Sequence, residues 1–339
     1  MPAFATSMKY PRIVINWSLS LVVSILLLAP GHAQSASDNV LVKAGQKVVF
    51  LGDSVTGLGW SVPGGYINLV VSGLEAQGIK VTPIPAGVGG NTSREMLARL
   101  DHDVLSAKPD WMTLSCGVND VWGRERGVDL ETYKKNVASI VDKAEAAGIK
   151  VMILTATPIY EVAITEFSPK LDLYNDFLRQ FAKERKLPLA DVNAAWMNAM
   201  KDEKPRWGTR FLTIDGVHPN PDGHRLMAQA ILEAFGLSPD QVATAEEKWL
   251  DAPGSATIQA GVNLLASDPI TLRQYDALKK VAANRKITTF DLINTLYLEA
   301  IRDTLQAHGQ LSSSNKGPIE NQIQAETQVC FDKKIDALK

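Results

Sequence analysis

Four residues carry the chemistry needed for nucleophilic acyl transfer: Ser54, Asn119, Asp215 and His218. Ser54 lies in Gly52-Asp53-Ser54-Val55-Thr56, and Asn119 in Gly117-Val118-Asn119-Asp120. The acid and the imidazole share the turn Asp215-Gly216-Val217-His218-Pro219-Asn220. A serine hydroxyl is a weak nucleophile at its own pKa and needs a base within hydrogen-bond reach. His218 suits that role because an imidazole titrates near neutrality. Its second ring nitrogen needs an acceptor that fixes the tautomer and stabilises the imidazolium, and Asp215 stands on the same turn to supply it. The tetrahedral oxyanion then needs donors, each worth roughly 3–4 kcal/mol when removed. The Asn119 amide and the Ser54 backbone N–H can provide two. A third is best taken from a glycine, where no side chain blocks the approach, and Gly87-Val88-Gly89-Gly90-Asn91-Thr92 offers several candidates.

Regular elements must place these turns. Short apolar runs predict strands over 48–51, 81–86, 111–116, 149–155 and 187–192. Apolar residues at helical spacing predict helices over 66–77, 92–105, 130–147, 171–185 and 221–235. This alternation reads as an α/β fold with a parallel five-stranded sheet and helices on both faces. Ligands of such sheets bind beyond the carboxyl ends of the strands. Ser54, the 87–92 loop and Asn119 each follow a predicted strand, and the Asp215/His218 turn precedes the 221–235 helix.

Taken in order, the four blocks resemble the SGNH (GDSL-type) serine hydrolases over about residues 46–236. The resemblance implies a flavodoxin-like three-layer α/β/α sandwich. It implies Ser54 as nucleophile, His218 as base and Asp215 as its orienter. It also implies an oxyanion hole built from the Ser54 N–H, the Gly90 N–H and Asn119, with no metal or cofactor. One departure is Val55, where the family has leucine, a change of volume that leaves the chemistry intact. The expected activity is hydrolysis of short acyl esters, acetyl groups on carbohydrate above all. A lipid esterase of lysophospholipase type, acyl transfer to a sugar, and a non-catalytic carbohydrate-binding descendant are the alternatives. An α/β-hydrolase elbow, Gly-x-Ser-x-Gly, is absent from the sequence. The 87–90 loop lacks the lysine of a phosphate-binding P-loop.

Other polar residues read as structural. Asp53 is expected to hold its turn through backbone hydrogen bonds, and Asp120 to brace its loop. His224 lacks an aspartate three residues before it and is expected to be structural. Asp101-His102-Asp103 lies on a helix without further ligands and reads as surface rather than a metal site. Trp122 lines either the pocket or the core. Cys116 ends a very apolar run and reads as a buried free thiol, with no bridge to Cys330 expected.

The chain has 339 residues, 45% apolar and 21% charged, with a formal net charge of −2. That composition fits a globular enzyme, and without a polybasic run nothing favours nucleic acid as a partner. Lys9 and Arg12 precede a mostly apolar stretch over 13–29, and Pro30-Gly31-His32-Ala33 ends it with small residues. This pattern predicts a cleavable signal peptide over 1–33, a secreted or periplasmic protein, and no stable membrane insertion after cleavage. A hydrolase domain is expected over 40–248 and a helical C-terminal extension over 249–339, joined by a linker at 251–255. Asp268-Pro269 is expected to cap a helix carrying Leu272, Tyr275 and Leu278, and a second helix to start at Thr288. The apolar faces of these helices must pack on the main domain or on a second copy, which would make a homodimer.

Overall fold

The protein is described by a computed structural model over residues 39–161, 167–201, 211–252, 256–259, 267–308, 327 and 329–337. The expected signal segment, 1–33, lies outside the described residues. The main sheet contains β1 (Lys47–Gly52), β2 (Thr82–Gly87), β3 (Trp111–Ser115), β4 (Lys150–Leu154) and β5 (Leu189–Ala190). All pairings are parallel and the order is β2-β1-β3-β4-β5. The chain reverses its direction of growth between β1 and β3, and the crevice at such a switch point is where these sheets bind ligands. Pro83 and Pro85 sit in β2. That is possible because β2 is an edge strand and the missing N–H groups face outward.

The central strands β1, β3 and β4 are buried on both faces, so their side chains divide between two cores. Val48 and Phe50 join one apolar cluster with Trp111, Met152 and Leu154. Val49 and Leu51 join the other with Met112, Leu114, Val151 and Ile153. Helices α1 (Ser54–Ser61), α2 (Tyr66–Ala76), α3 (Ser93–Asp103), α4 (Val118–Trp122), α5 (Leu130–Ala146) and α6 (Ser168–Arg185) follow in chain order. Then come α7 (Val192–Met200), α8 (Pro221–Ala234) and α9 (Pro239–Leu250). Residues of α2, α8 and α9 fill the first cluster, and those of α3, α5 and α6 the second. Three layers result, as expected.

Four helices, α1, α4, α7 and α9, have no counterpart in the sequence expectation. Helix α1 contains Gly57 and Gly59, which argue against a helix by propensity. Gly59 is needed because a Cβ there would stand 2.5 Å from the Tyr66 ring. Helix α7 is capped by Asp191, whose side chain accepts from Ala194 N. Helix α9 carries a full capping box, Ser238 with Gln241, and Pro239 in its first turn. The expected boundary at 248/249 falls inside α9, where Trp249 is buried.

The extension is not wholly helical. β6 (Ala256–Gln259) and β7 (Ser267–Ile270) pair antiparallel, so Asp268-Pro269 lies in a strand rather than at a cap. Thr271 caps α10 (Leu272–Arg285) instead, with Gln274 completing the capping box. Thr288 bonds Asp291 N at the start of α11 (Thr289–His308). Leu272, Tyr275, Leu278, Leu292, Ile293 and Leu296 belong to the same cluster as Phe50 and Trp249. The apolar faces of the extension therefore pack on the main body. Ion pairs tie α10 to α8: Arg225 to Asp276 at 3.1 Å and Lys279 to Asp222 at 2.7 Å.

Trp249 makes the last turn of α9 part of the hydrolase core. Trp249→Ala is expected to lower stability by about 3–5 kcal/mol. Urea titration should show a lower midpoint with an unchanged slope.

Candidate active site

The three post-strand turns meet at the carboxyl end of the sheet. β1 ends at Gly52, where a Cβ would stand 2.0 Å from Thr56 Oγ1, so only glycine fits. Asp53 then caps α1, its Oδ1 accepting from Val55 N at 2.9 Å. Ser54 is thereby placed as the first residue of α1, half-buried at the switch point. After β3, Gly117 takes φ +130° and a Cβ there would press on Ala156 and the Tyr133 hydroxyl. That turn starts the short helix α4 and brings Asn119 beside Asp53.

His218 comes from a turn closed on itself. Thr213 and Pro219 form an antiparallel bridge, and Ile214 N donates to His218 O at 2.9 Å. Asp215 Oδ1 accepts from the backbone N–H of Val217 and His218. Its Oδ2 lies 2.6 Å from His218 Nδ1. His218 Nε2 lies 2.9 Å from Ser54 Oγ. With Nδ1 protonated toward the carboxylate, Nε2 is left to accept the serine proton. The structure thus brings Ser54, His218 and Asp215 into one hydrogen-bonded line.

The third block lies alongside. Gly90 adopts φ +76°, a region that favours glycine. A Cβ on Gly89 would start 3.8 Å from Ser54 Cβ, so the loop runs beside Ser54. Neither the Ser54 nor the Gly90 backbone N–H has an acceptor among the described residues. Asn119 Nδ2 donates to Asn91 O at 3.1 Å and approaches Asp53 Oδ2 at 3.3 Å. Three donors, Ser54 N, Gly90 N and Asn119 Nδ2, therefore belong to neighbouring turns.

Charge within the site is unevenly tuned. His218 is raised above the usual imidazole value, first by its hydrogen bond to Asp215 and then by the nearby negative charge of Asp215 and Asp53; burial opposes this. Burial would raise Asp215, but the bonds from the His218 ring and from two backbone N–H groups win and lower it to about 2. Asp53 goes the other way. Burial pushes it up to about 6, against the hydrogen bond from Val55 N. Asp120 is raised by burial to about 6 and accepts from the Ser93 N–H and hydroxyl, so it braces the 92–93 turn.

The remaining singled-out residues fall as follows. His224 is buried, pushed down to about 3 by burial, and its Nδ1 accepts from Tyr66 N. His102 is exposed and bonds Asp103. Among the described residues no group of three or more His, Cys, Asp or Glu side chains could hold a metal ion. Trp122 meets Tyr160 edge to face, with ring centroids 6.3 Å apart. Cys116 and Cys330 are both free thiols.

Three supporting residues escaped the sequence. Tyr160, at φ +60°, donates its N–H to Gly216 O at 2.7 Å and so grips the base turn. Glu161 is buried; it accepts from Phe211 N, and from Leu212 N at 2.6 Å, just before that turn. Burial raises its pKa. Arg99, on α3, donates to Asn91 and to Gly52 O. A positive-φ tyrosine and a buried glutamate have no local sequence signature, and Arg99 reads as one more charge on an amphipathic helix.

A serine bonded to a histidine, at the switch point of a parallel α/β/α sandwich, defines the class as a serine-type ester hydrolase. The family model of the GDSL-like Lipase/Acylhydrolase family matches residues 50–226, just over half of the chain. The chain belongs to that family. It is 32% identical over 220 residues to an acetylxylan esterase of Geobacillus stearothermophilus, covering 58% of this chain and 96% of that one. The crystal structure of that esterase superposes with a TM-score of 0.53 at 29% identity, covering 58% of this chain and 97% of the other. Further structures of it are described as catalytic mutants, with a serine, an aspartate or a histidine replaced by alanine. An arylesterase of Vibrio mimicus is 24% identical, over 56% of this chain and 88% of its own.

The pH dependence follows from the Asp215–His218 bond. A general base at His218 would act deprotonated, so kcat/KM is expected to rise with pH through a midpoint above 6.5, the ordinary value. Asp215→Asn removes the main cause of the upward shift. Its midpoint should move to lower pH, and kcat should fall on the order of 10⁴-fold. pH–rate profiles of the two proteins test both.

Proposed function

We propose that the protein is an exported serine esterase that removes short acyl groups, acetyl above all, from carbohydrate. The observation that carries the mechanism is the line from Ser54 Oγ to His218 Nε2 at 2.9 Å and from His218 Nδ1 to Asp215 Oδ2 at 2.6 Å. As Ser54 Oγ bonds the acyl carbon, its proton passes to His218 Nε2. The carbonyl oxygen becomes an oxyanion in reach of the Ser54 and Gly90 N–H groups and the Asn119 amide. One Asn119 hydrogen is held by Asn91 O, and the 3.3 Å contact to Asp53 is the one an oxyanion replaces. The carbon–oxygen bond to the alcohol then breaks, and His218 returns the proton to the leaving oxygen. Water repeats the cycle, with His218 as base, and frees the carboxylic acid and Ser54.

The acetyl–carbohydrate reading is supported by the acetylxylan esterase relative, nearly all of whose length this chain matches. Export is supported by Lys9 and Arg12 ahead of the apolar 13–29 run. Ser54→Ala should lose p-nitrophenyl acetate hydrolysis by more than about 10⁴-fold; full retained activity would overturn the nucleophile assignment. Across nitrophenyl esters, acetate should exceed butyrate and octanoate, and acetylated xylan should release acetate. A preference for eight carbons or longer sinks the carbohydrate reading. For export, the secreted protein should begin at Gln34 on N-terminal sequencing, whereas an intact leader on the cell-associated protein would exclude cleavage.

A further inference from the structure

Arg99 joins the three oxyanion donors although it reaches none of the reacting atoms. Its Nη2 donates to Gly52 O at 2.7 Å, two residues before Ser54. Its Nε donates to Asn91 Oδ1 at 2.7 Å, one residue after Gly90. Asn91 in turn offers its carbonyl to the Asn119 amide at 3.1 Å. The guanidinium is itself fixed from its own helix, where Nη1 pairs with Asp103 Oδ2 at 2.6 Å. Only 16% of the Arg99 side chain is exposed, so these bonds are shielded from competing water. One planar group thus spans the end of β1, the loop after β2 and, through Asn91, the start of α4.

The 88–91 loop needs such a tie. Val88, Gly89 and Gly90 are exposed, and a Cβ on Gly90 would touch nothing. Packing does not fix the Gly90 N–H. Backbone bonds at its two ends, Val88 N to Gly52 O at 3.1 Å and Asn91 N to Val88 O at 3.2 Å, close the turn, and Asn91 O and Ser93 tie it to Asn119 and Asp120, but none of these bonds holds the Asn91 side chain against the end of β1. Arg99 does so, because the rigid fork meets Gly52 O and Asn91 Oδ1 together. Lysine, with one flexible ammonium, cannot hold both directions at once.

We propose that Arg99 is the positioning residue of the oxyanion hole: it aligns the Ser54, Gly90 and Asn119 donors for the transition state. This inference rests on Ser54 being the nucleophile. Donors displaced by about 1 Å cost on the order of 10²-fold in rate while leaving ground-state binding largely intact.

Arg99→Ala and Arg99→Lys are compared with wild type on p-nitrophenyl acetate, per active site titrated with diethyl p-nitrophenyl phosphate. Both should lower kcat by about 10–100-fold with KM changed less than about twofold. Inactivation by the phosphate ester, which forms the same kind of oxyanion at Ser54, should slow in parallel. Guanidinium ion at a non-denaturing concentration should restore part of the kcat of Arg99→Ala and none of that of Arg99→Lys. Unchanged kcat per active site, with only a lower melting temperature, overturns the proposal, and so does a raised KM at constant kcat. Should Arg99→Ala not fold, Asn91→Leu carries the test, since it removes the Nε acceptor and keeps the other two bonds. It should lower kcat about 10-fold at constant KM, and wild-type kcat would overturn the proposal. A Ser54→Ala protein of full activity refutes the site itself and Arg99 with it. An inactive Ser54→Ala beside a fully active Arg99→Ala refutes Arg99 alone.

Discussion

The hydrogen bond between Ser54 Oγ and His218 Nε2 joins residues 164 positions apart, and most of the fold serves to hold its two ends at 2.9 Å. Neither end can drift. Ser54 is fixed by the β1–α1 junction, where Gly52 leaves no room for a side chain and Asp53 closes the helix start. His218 is fixed by the Thr213–Pro219 bridge and by Glu161 beneath it. Asn220 then caps α8 through Gly223 N and also donates to Phe211 O, so the turn is locked on both sides. A second link runs between the two helices. Tyr66 donates its hydroxyl to Thr56 on α1 and its N–H to His224 on α8. His224 can accept there only as a neutral ring, which burial ensures by pushing it to about 3.

The aspartates around this bond show how one side chain type takes different tasks. Asp215 is partly exposed, receives two backbone N–H groups and the imidazole, and ionises near pH 2. It remains a carboxylate throughout the range in which His218 titrates. Asp53 and Asp120 are buried and raised to about 6. Asp53 accepts from Val55 N and from the Asn119 amide, and Asp120 accepts from Ser93. Burial raises all three, but at the partly exposed Asp215 the bonds from the imidazole and two backbone N–H groups outweigh it. Asp53 also contributes to the upward shift of His218, so the acid that builds the Ser54 turn acts electrostatically on the imidazole.

The legible part of the sequence was the part that obeys local rules. All five strands and the helices over 66–77, 92–105, 130–147, 171–185 and 221–235 have counterparts within a few residues, because each combines an apolar period with a clear stop. The geometry of Ser54, Asn119, Asp215 and His218 was legible because each sits on a turn made by glycine, proline or asparagine. Helix α1 was not, since Gly57 and Gly59 hide it; Gly59 answers to the Tyr66 ring, a packing demand that local propensity does not show. The β6–β7 pair was missed because its strands are four residues each. Arg99, Tyr160 and Glu161 were missed for one reason. Each bonds a backbone group of another segment, Arg99 to Gly52 O, Tyr160 to Gly216 O and Glu161 to Leu212 N, and a backbone donor or acceptor leaves no mark in the sequence.

The extension shows how magnitudes separate two kinds of contact. Its α10 meets α8 through Asp222, Arg225, Asp276 and Lys279, whose side chains are 20–35% exposed. Pairs with that much solvent contribute about 0–1 kcal/mol each. Burying one leucine or isoleucine contributes about 1.5–3 kcal/mol, and α10 and α11 bury Leu272, Leu278, Leu292, Ile293 and Leu296 against the main body. The apolar face therefore holds the extension in place. The ion pairs set its register: Asp222 and Arg225 lie one helical turn apart, and so do Asp276 and Lys279, so a slide of α10 by one turn would break the crossed pattern. Because Asp222 lies in the first turn of α8, two residues beyond the cap at Asn220, that register is fixed against the end of the helix that follows His218.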